Sequence, residues 1–399
     1  MNPRTNPVVI AGAGPAGLFA AVLLVRAGHR VLVLEKNDGL AMDMRASTFH
    51  PATLDLLDPL GLADPLVFRG SITQGWQYMI HGTKQHAVFD LECIRDSTGF
   101  PFRLQCEQFH FSNIVVEYLV GSPLFEIRFT HEISEAEERN GEVLIKALRP
   151  GGEYEIRASW LIAADGANST LRRLLGLAFE GRPLPMASVS LVLDHPFQHD
   201  IPGIIGVNYV WTDSGYYSLK QIRNLWRFSY APRPDQSAEQ ALSDEVIESH
   251  LQSIFPSEEP YRVLQRNYYN LEQRCLESFR YGHVLFIGDA AHLDSPAGGF
   301  GMNAGIHDAQ CLVEHLVPVL NGKDDRLLDR YSRRRRTVVT EDIQRLAARN
   351  DRWRCETDPG QRDVIWKGLQ DIVSDPGKTK EYLLNSSMIR SRQREQEIG

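Results

Sequence analysis

Gly12, Gly14 and Gly17 stand between the apolar run Val8–Ala11 and an alanine-rich stretch that reaches Arg26. Glycines at this spacing can cradle a diphosphate. Gly12 permits a tight turn, Gly14 lets backbone N–H groups approach an anion, and Gly17 lets the following helix pack on the sheet with the phosphate at its positive end. Glu35 and Lys36 close a second apolar run, Val31–Leu34, at the distance where an acidic side chain accepts the hydroxyls of an adenosine ribose. A carboxylate there disfavours a 2′-phosphate, so the site suits FAD or NAD better than NADP. A glycine-rich turn in some other parallel sheet would leave Glu35 unexplained.

Two later loops have related chemistry. Asp165 and Gly166 follow the buried run Trp160–Ala164, and Ser169 and Arg172 open the next helix. An acid and a glycine at a strand's carboxyl end suit a ligand held in a crevice, although an Asp-Gly turn with a serine N-cap accounts for the same residues. Gly288-Asp289-Ala290-Ala291-His292 follows the run His283–Ile287, and Pro296, Gly299 and Gly301 lead to a helix from about Met302. Free N–H groups and the helix dipole would favour negative charge on a ring bound there. Arg45, in the loop after Glu35, could pair with phosphate or flavin oxygens.

The elements that must position these residues begin with strand, glycine turn, helix and strand. Trp76–Ile80 and His86–Phe89 read as a hairpin, and Glu107–Val120 as a helix. Phe125–Phe129, Val143–Leu148 and Tyr154–Ala158 read as an antiparallel meander, with Asn140-Gly141 as a tight turn. A second β-rich region follows, with runs at Ala187–Leu193, Ile204–Trp211, Tyr216–Gln221 and Leu225–Tyr230 and a helix over Asp244–Phe255. Its aromatics alternate as strand residues that build a core do. Thr337–Gly399 reads as charged amphipathic helices with a polar tail and no chemistry. The expected fold is α/β: a glycine-motif, Rossmann-like FAD-binding domain (1–70, 101–185 and 273–340), interrupted by a β-rich substrate domain (71–100 and 186–272), with a C-terminal helical region (341–399).

The 399 residues, 43% hydrophobic and 24% charged, suit a globular enzyme, and a net charge of -8 argues against a nucleic-acid partner. The basic run Arg333–Arg336 reads as a solvated helix face, because Asp324, Asp325 and Asp329 sit beside it. No run approaches the roughly 18 apolar residues of a membrane helix, and the N-terminus lacks an apolar signal core. The five cysteines are scattered without a C-x-x-C pair, which fits a reducing cytoplasm and no metal site.

Taken together, Gly12-x-Gly14-x-x-Gly17 with Glu35, Asp165-Gly166-x-x-Ser169-x-x-Arg172, and Gly288-Asp289 with Pro296, Gly299, Gly301, Asn303 and Asp308 resemble the single-component FAD-dependent aromatic hydroxylases typified by para-hydroxybenzoate hydroxylase. The resemblance covers about Val8–Arg336. It implies that the first motif, with Ala16, Glu35 and Lys36, holds the ADP part of FAD, and that Asp165-Gly166 lies near FAD and a transient NAD(P)H. Asp289 would bind the ribityl chain, and Gly299, Gly301, Met302 and Asn303 would lie against the flavin ring, with Arg45 and Gln105 as further contacts. The family's usual Arg-Pro is Arg336-Thr337 here. The implied reaction has NAD(P)H reduce FAD and O2 form a C4a-hydroperoxide, which an electron-rich aromatic carbon attacks.

Substrate activation remains to be assigned. His81, Tyr217 and Arg223 are candidates for orienting or deprotonating the substrate, because the two inserted β regions should roof the flavin; each also has a structural reading. Pro296 joins them as the opening of the loop against the flavin. His292 and Asp294 would support that loop. The expected substrate is a small phenol-like or N-heteroaromatic molecule, and the enzyme a monomer or homodimer. An FAD dehydrogenase or halogenase, although the halogenase Trp-x-Trp-x-Ile-Pro signature is absent, and a flavin-bound protein that shelters a reactive intermediate remain alternatives.

Overall fold

The computed structural model describes residues 6–42, 46–213 and 215–399. Val8–Ala11 and Val31–Leu34 are buried at every position, as parallel strands covered on both faces must be. Pro15–Arg26 forms the helix between them, with Pro15 at its start, where a missing N–H leaves no bond unmade. Val8 lies opposite Val31 on one side and Trp160 on the other, so Trp160–Ala163 joins in parallel. Val284–Phe286 extends this sheet, and Arg280–Tyr281 closes its edge antiparallel.

The other edge is Phe125–Arg128, parallel to Val31–Leu34. The expected meander is thereby corrected: its strands are Glu132–Arg139, Glu142–Arg149 and Gly152–Ala158. Glu132–Arg139 escapes a sequence reading because Ile133 is its one fully buried position. The Asn140-Gly141 turn has positive φ at both residues, 53° and 77°, the geometry that suits a two-residue hairpin.

An eight-stranded sheet joins distant parts of the chain, in the order His292–Leu293, Val263–Cys275, Glu180–Leu193, Leu225–Tyr230, Gly215–Ile222, Val207–Thr212, Gly75–Ile80 and His86–Asp90. Side chains alternate across it. On one face Leu191, Tyr217, Leu219, Trp226 and Phe228 pack beneath Ile247 and Leu251 of the helix Asp244–Ile254 and form a core of their own. On the other, Trp76, Tyr78, Tyr209, Trp211 and Tyr216 join the core shared with the parallel sheet.

The basic run is not a solvated face. Arg335 is fully buried and pairs with Asp308 at 2.7 Å and with Glu395. Arg334 donates to the carbonyls of Gln396 and Ile398, and Arg336 to that of Leu276. The nearby acids are engaged elsewhere, Asp324 with Arg326 and both Asp325 and Asp329 with Arg280. Nor is the C-terminus a polar tail: Ile389–Glu397 is a helix that buries Ile389, Ser391 and Glu395. Among the described residues no helix is long and apolar enough to cross a membrane.

Candidate active site

The glycine turn is shaped by close approach. A Cβ at Gly12 would meet the Ala164 carbonyl oxygen at 2.4 Å, and one at Gly17 would meet the Gly12 carbonyl oxygen at 2.4 Å, whereas Gly14 faces open space. Two glycines therefore seat the turn, and the third leaves room for an anion at the helix N-terminus. Glu35 Oε2 accepts the Ala13 N–H at 2.9 Å and Oε1 the Asn37 N–H at 3.0 Å. This fastens the carboxylate to the turn, and the remaining lone pairs can still accept ribose hydroxyls. Lys36 is exposed just beyond. Arg45 lies outside the described residues.

The helix Gly301–Leu320 meets Pro15–Arg26 at their first turns. The Ala16 Cβ lies 3.2 Å from where a side chain at Gly305 would begin and 3.3 Å from one at Gly288. Its first intrahelical bond runs from the Ala304 N–H to the Phe300 carbonyl at 2.8 Å. The N–H groups of Gly301, Met302 and Asn303 therefore form a positive helix end. The Asn303 side chain needs a correction: it donates to the Thr48 and Gly299 carbonyls, both at 2.8 Å, and accepts the His50 N–H at 3.0 Å. It ties the flavin loop to Thr48–His50, and only its backbone can face a cofactor.

Asp289 is exposed on the turn Gly288–Ala290, and Pro296 is exposed on the loop before the helix. Asp165 Oδ2 accepts the Leu171 N–H at 3.0 Å, while Ser169 caps the helix by accepting the Arg172 N–H at 3.0 Å. Arg172 then donates to the carbonyls of Ala167 and Ala290, at 2.6 and 3.1 Å, fastening Asp165-Gly166 to the Gly288-Asp289 motif. Asp165 Oδ1 and Gln105 Nε2 are buried with no hydrogen-bond partner among the described residues. Such atoms are costly unless a ligand completes them, and the acceptor-rich and donor-rich edges of FAD can do so. The site fits the cofactor.

Beneath the flavin loop runs a buried chain of charge. Asp308 Oδ2 accepts from His292 Nε2 at 2.8 Å and from the Gly288 N–H at 2.9 Å, and Oδ1 accepts from Arg335. Burial alone would raise the Asp308 carboxyl; His292 and Arg335 outweigh it and hold it below the usual range. Burial opposes a charged His292, yet Asp308 and Asp294 raise its pKa. Asp294, 3.9 Å from His292, is pushed up to about 7 by burial. Asp308 thereby ties His292 and Arg335 to the turn at Gly288, with Asp294 buried beside His292.

The substrate-side candidates fare differently. His81 Nδ1 and the Tyr217 hydroxyl lie 3.0 Å apart, so the structure does bring them together. They do so on the face packed under Asp244–Ile254, where Tyr217 is fully buried against Phe228 and Phe255. Alternation along Gly215–Ile222 puts Tyr217 in the core under Asp244–Ile254 and Tyr216 in the core shared with the parallel sheet. Arg223 sits in the hairpin turn and donates to the Arg69 carbonyl through Nε and Nη2, pinning that turn to a neighbouring helix. Each of the three makes a hydrogen bond within the protein in this position.

The face that does look towards the flavin loop carries residues the sequence reading passed over. Lys220 lies opposite Arg227 in the sheet, and Arg227 donates to Ser47 Oγ at 2.9 Å. Next to Ser47, Thr48 donates to Gln105 at 2.9 Å and would stand 3.2 Å from a Cβ on Gly299. Arg103 stacks on Trp76 at 3.7 Å. The helix Gln344–Cys355 closes the space: Asn350 donates to the Ala297 carbonyl at 3.3 Å, Trp353 meets Tyr78 edge-on at 6.3 Å, and Arg354 lies 5.0 Å from the Tyr216 ring. The C-terminal region therefore forms a wall of the site, contrary to the expectation that it carries no chemistry. A lysine amid the apolar alternation of Tyr216–Ile222 was the available signal.

The glycine turn, the Asp165-Gly166 turn and the Gly288-Asp289 turn, tied together at the ends of one parallel sheet, make a fold built to hold a dinucleotide cofactor. The FAD binding domain family model matches residues 5–346, and the chain belongs to that family. It is 33% identical over 398 residues to para-nitrophenol 4-monooxygenase of Pseudomonas sp. (strain WBC-3), covering 96% of each chain. It is 31% identical to 6-hydroxy-3-succinoylpyridine 3-monooxygenase of Pseudomonas putida, covering 94% of this chain and 96% of that one. The crystal structure of p-nitrophenol 4-monooxygenase from Pseudomonas putida superposes with a TM-score of 0.90 at 32% identity, covering 97% and 98% of the two chains. The protein is a flavoprotein monooxygenase of the aromatic hydroxylase class, with FAD as cofactor and NAD(P)H and O2 as co-substrates.

Proposed function

We propose that this enzyme hydroxylates a small phenolic or N-heteroaromatic compound in the cytoplasm, as a monomer or homodimer. The observation that carries the reading is the cleft in which the cationic, tyrosine-rich sheet face and Gln344–Cys355 meet the flavin loop. The tyrosines and Trp353 give this side an aromatic lining suited to a flat, electron-rich ring, and Lys220 and Arg227 give it a cationic side suited to an anionic oxygen. The relatives named for nitrophenol and hydroxypyridine oxygenation support this substrate class.

Bound FAD would supply the redox and oxygen-transfer chemistry, with NAD(P)H as reductant and O2 as the source of the inserted oxygen. The chain's own work is placement. Gly12–Gly17 and the helix end at Pro15 hold the diphosphate, Glu35 the ribose, and Asp289 the ribityl chain. The N–H groups of Gly301, Met302 and Asn303 offer fixed dipoles where reduced flavin carries negative charge, without reorganisation. Trp353 and Asn350 help keep water from the loop. Stopped-flow absorbance with NADH or NADPH, across phenols and hydroxypyridines, tests the reading. One compound should accelerate flavin reduction about tenfold or more and leave a product labelled by isotopic O2. Flavin that stays oxidised with every donor and ring compound overturns it.

A further inference from the structure

His50 grips the loop that leads into the helix Gly301–Leu320 at three points. Its ring nitrogen Nε2 lies 2.9 Å from the Gly298 carbonyl oxygen, its backbone N–H donates to Asn303 Oδ1 at 3.0 Å, and its ring stacks on Phe300 at 5.3 Å and 14°. A carbonyl only accepts, so Nε2 carries the proton. His50 is fully buried, and its Nδ1 has no hydrogen-bond partner among the described residues. A second proton there would have nothing to bond, so the ring stays neutral, in keeping with the downward push of burial and of the Arg103 charge.

What it grips has no stiffness of its own. Gly298 and Gly299 both have positive φ, 111° and 73°, and a peptide group between two glycines turns with little steric resistance. Here that group is held from both sides: the Gly298 carbonyl accepts from His50, and the Gly299 N–H donates to the Pro296 carbonyl at 3.0 Å. Asn303 fixes only the next carbonyl, that of Gly299. Phe300, whose ring a Cβ on Gly298 would meet at 2.3 Å, then opens the helix by accepting the Ala304 N–H. We propose that His50 is a positioning residue for the flavin: through the Gly298 carbonyl and Phe300 it sets where the N–H groups of Gly301, Met302 and Asn303 stand against the ring, and so how far they favour reduced, negatively charged flavin over oxidised. This rests on the placement of FAD proposed above and deepens it, because it names the side chain that holds those dipoles in place. Dipoles fixed in advance stabilise charge without reorganisation. A Gly298 peptide free to turn would take that fixed aim from the helix end.

The test is a redox titration of the FAD in the holoenzyme. His50→Phe keeps a ring for Phe300 to stack on and removes the donor to Gly298; His50→Gln keeps an amide donor and removes the ring. In His50→Phe the preference for reduced flavin should fall about tenfold, a midpoint potential about 30 mV more negative, while His50→Gln should stay near wild type. A merely structural histidine would lower the unfolding midpoint in both variants and move neither potential. An unchanged potential in His50→Phe, or equal shifts in the two variants, overturns the assignment. Where His50→Phe fails to hold FAD, nitrogen NMR spectra of the wild-type holoenzyme decide. The His50 imidazole should be neutral near neutral pH with its proton on Nε2, and a charged ring or a proton on Nδ1 overturns the assignment. The same spectra separate it from the reading beneath it. The Gly301 and Met302 amide signals should move between oxidised and reduced holoenzyme. If they stay still, the flavin does not lie at this helix end and both readings fall; signals that move beside an unchanged potential overturn the role of His50 alone.

Discussion

The two faces of the eight-stranded sheet are made by alternate residues of the same strands, yet they have opposite characters. Beneath Asp244–Ile254 lie Leu191, Leu219, Trp226 and Phe228, with the polar atoms of Tyr217 and His81 satisfying each other. On the other face, the neighbours in sequence are Tyr216, Lys220 and Arg227: Lys220 lies opposite Arg227 in the sheet, and Arg227 donates to Ser47 Oγ at 2.9 Å. The first face is apolar and internally satisfied; the second carries cationic side chains. Taking cations out of water costs stability, and a sheet that keeps them on a single face confines that cost to it.

That contrast can be broken most forcefully at Phe228. Phe228→Ala should cost about 3–5 kcal/mol in denaturant unfolding, while enzyme that remains folded keeps its KM for the aromatic substrate. A large change in KM at equal FAD occupancy would show that the apolar face also touches substrate. Lys220→Met should do the reverse. Its folded pKa lies below the unfolded value, so the unfolded state binds more protons and wild-type stability rises with pH between about 7 and 10.5. The substitution should abolish that slope and raise stability at neutral pH by roughly 1–3 kcal/mol, as read by urea midpoints across pH. Tyr217→Phe gives the smallest effect. Losing its bond to His81 should cost about 1 kcal/mol and leave kcat/KM unchanged; a tenfold loss would return Tyr217 to the catalytic list.

The cofactor half of the molecule was legible because its chemistry is local. Gly12 to Glu35 is one continuous unit, and its glycines report contacts made within a few residues or with the strand end at Ala164. The substrate half was legible as strands but not as faces. Tyr217 and Tyr216 differ only by one position of alternation, and the direction of that alternation is set by pairing with Leu225–Tyr230 and Val207–Thr212. His81 and Arg223 were chosen for residue type, and type does not say which side of a sheet a side chain occupies. Trp353 and Asn350 were out of reach for another reason: nothing within Gln344–Cys355 announces that it docks on a loop some fifty residues upstream. The arginine run misled because charge neighbours in sequence are not charge partners in space, as Arg335 with Asp308 and Glu395 demonstrates.

The same link from Asp308 through Arg335 to Glu395 sets a timetable for the growing chain. The parallel sheet needs strands begun at Val8, Val31, Phe125, Trp160 and Val284, and the charge beneath the flavin loop is balanced only when Glu395 arrives. At roughly 5–20 residues per second, that residue follows Glu35 by tens of seconds. Through the first part of that interval the glycine turn exists without the helix that begins at Gly301, and through the rest the Arg335 beneath that helix lacks Glu395. The charge beneath the loop is thus completed late in synthesis, after every strand of the parallel sheet has been made.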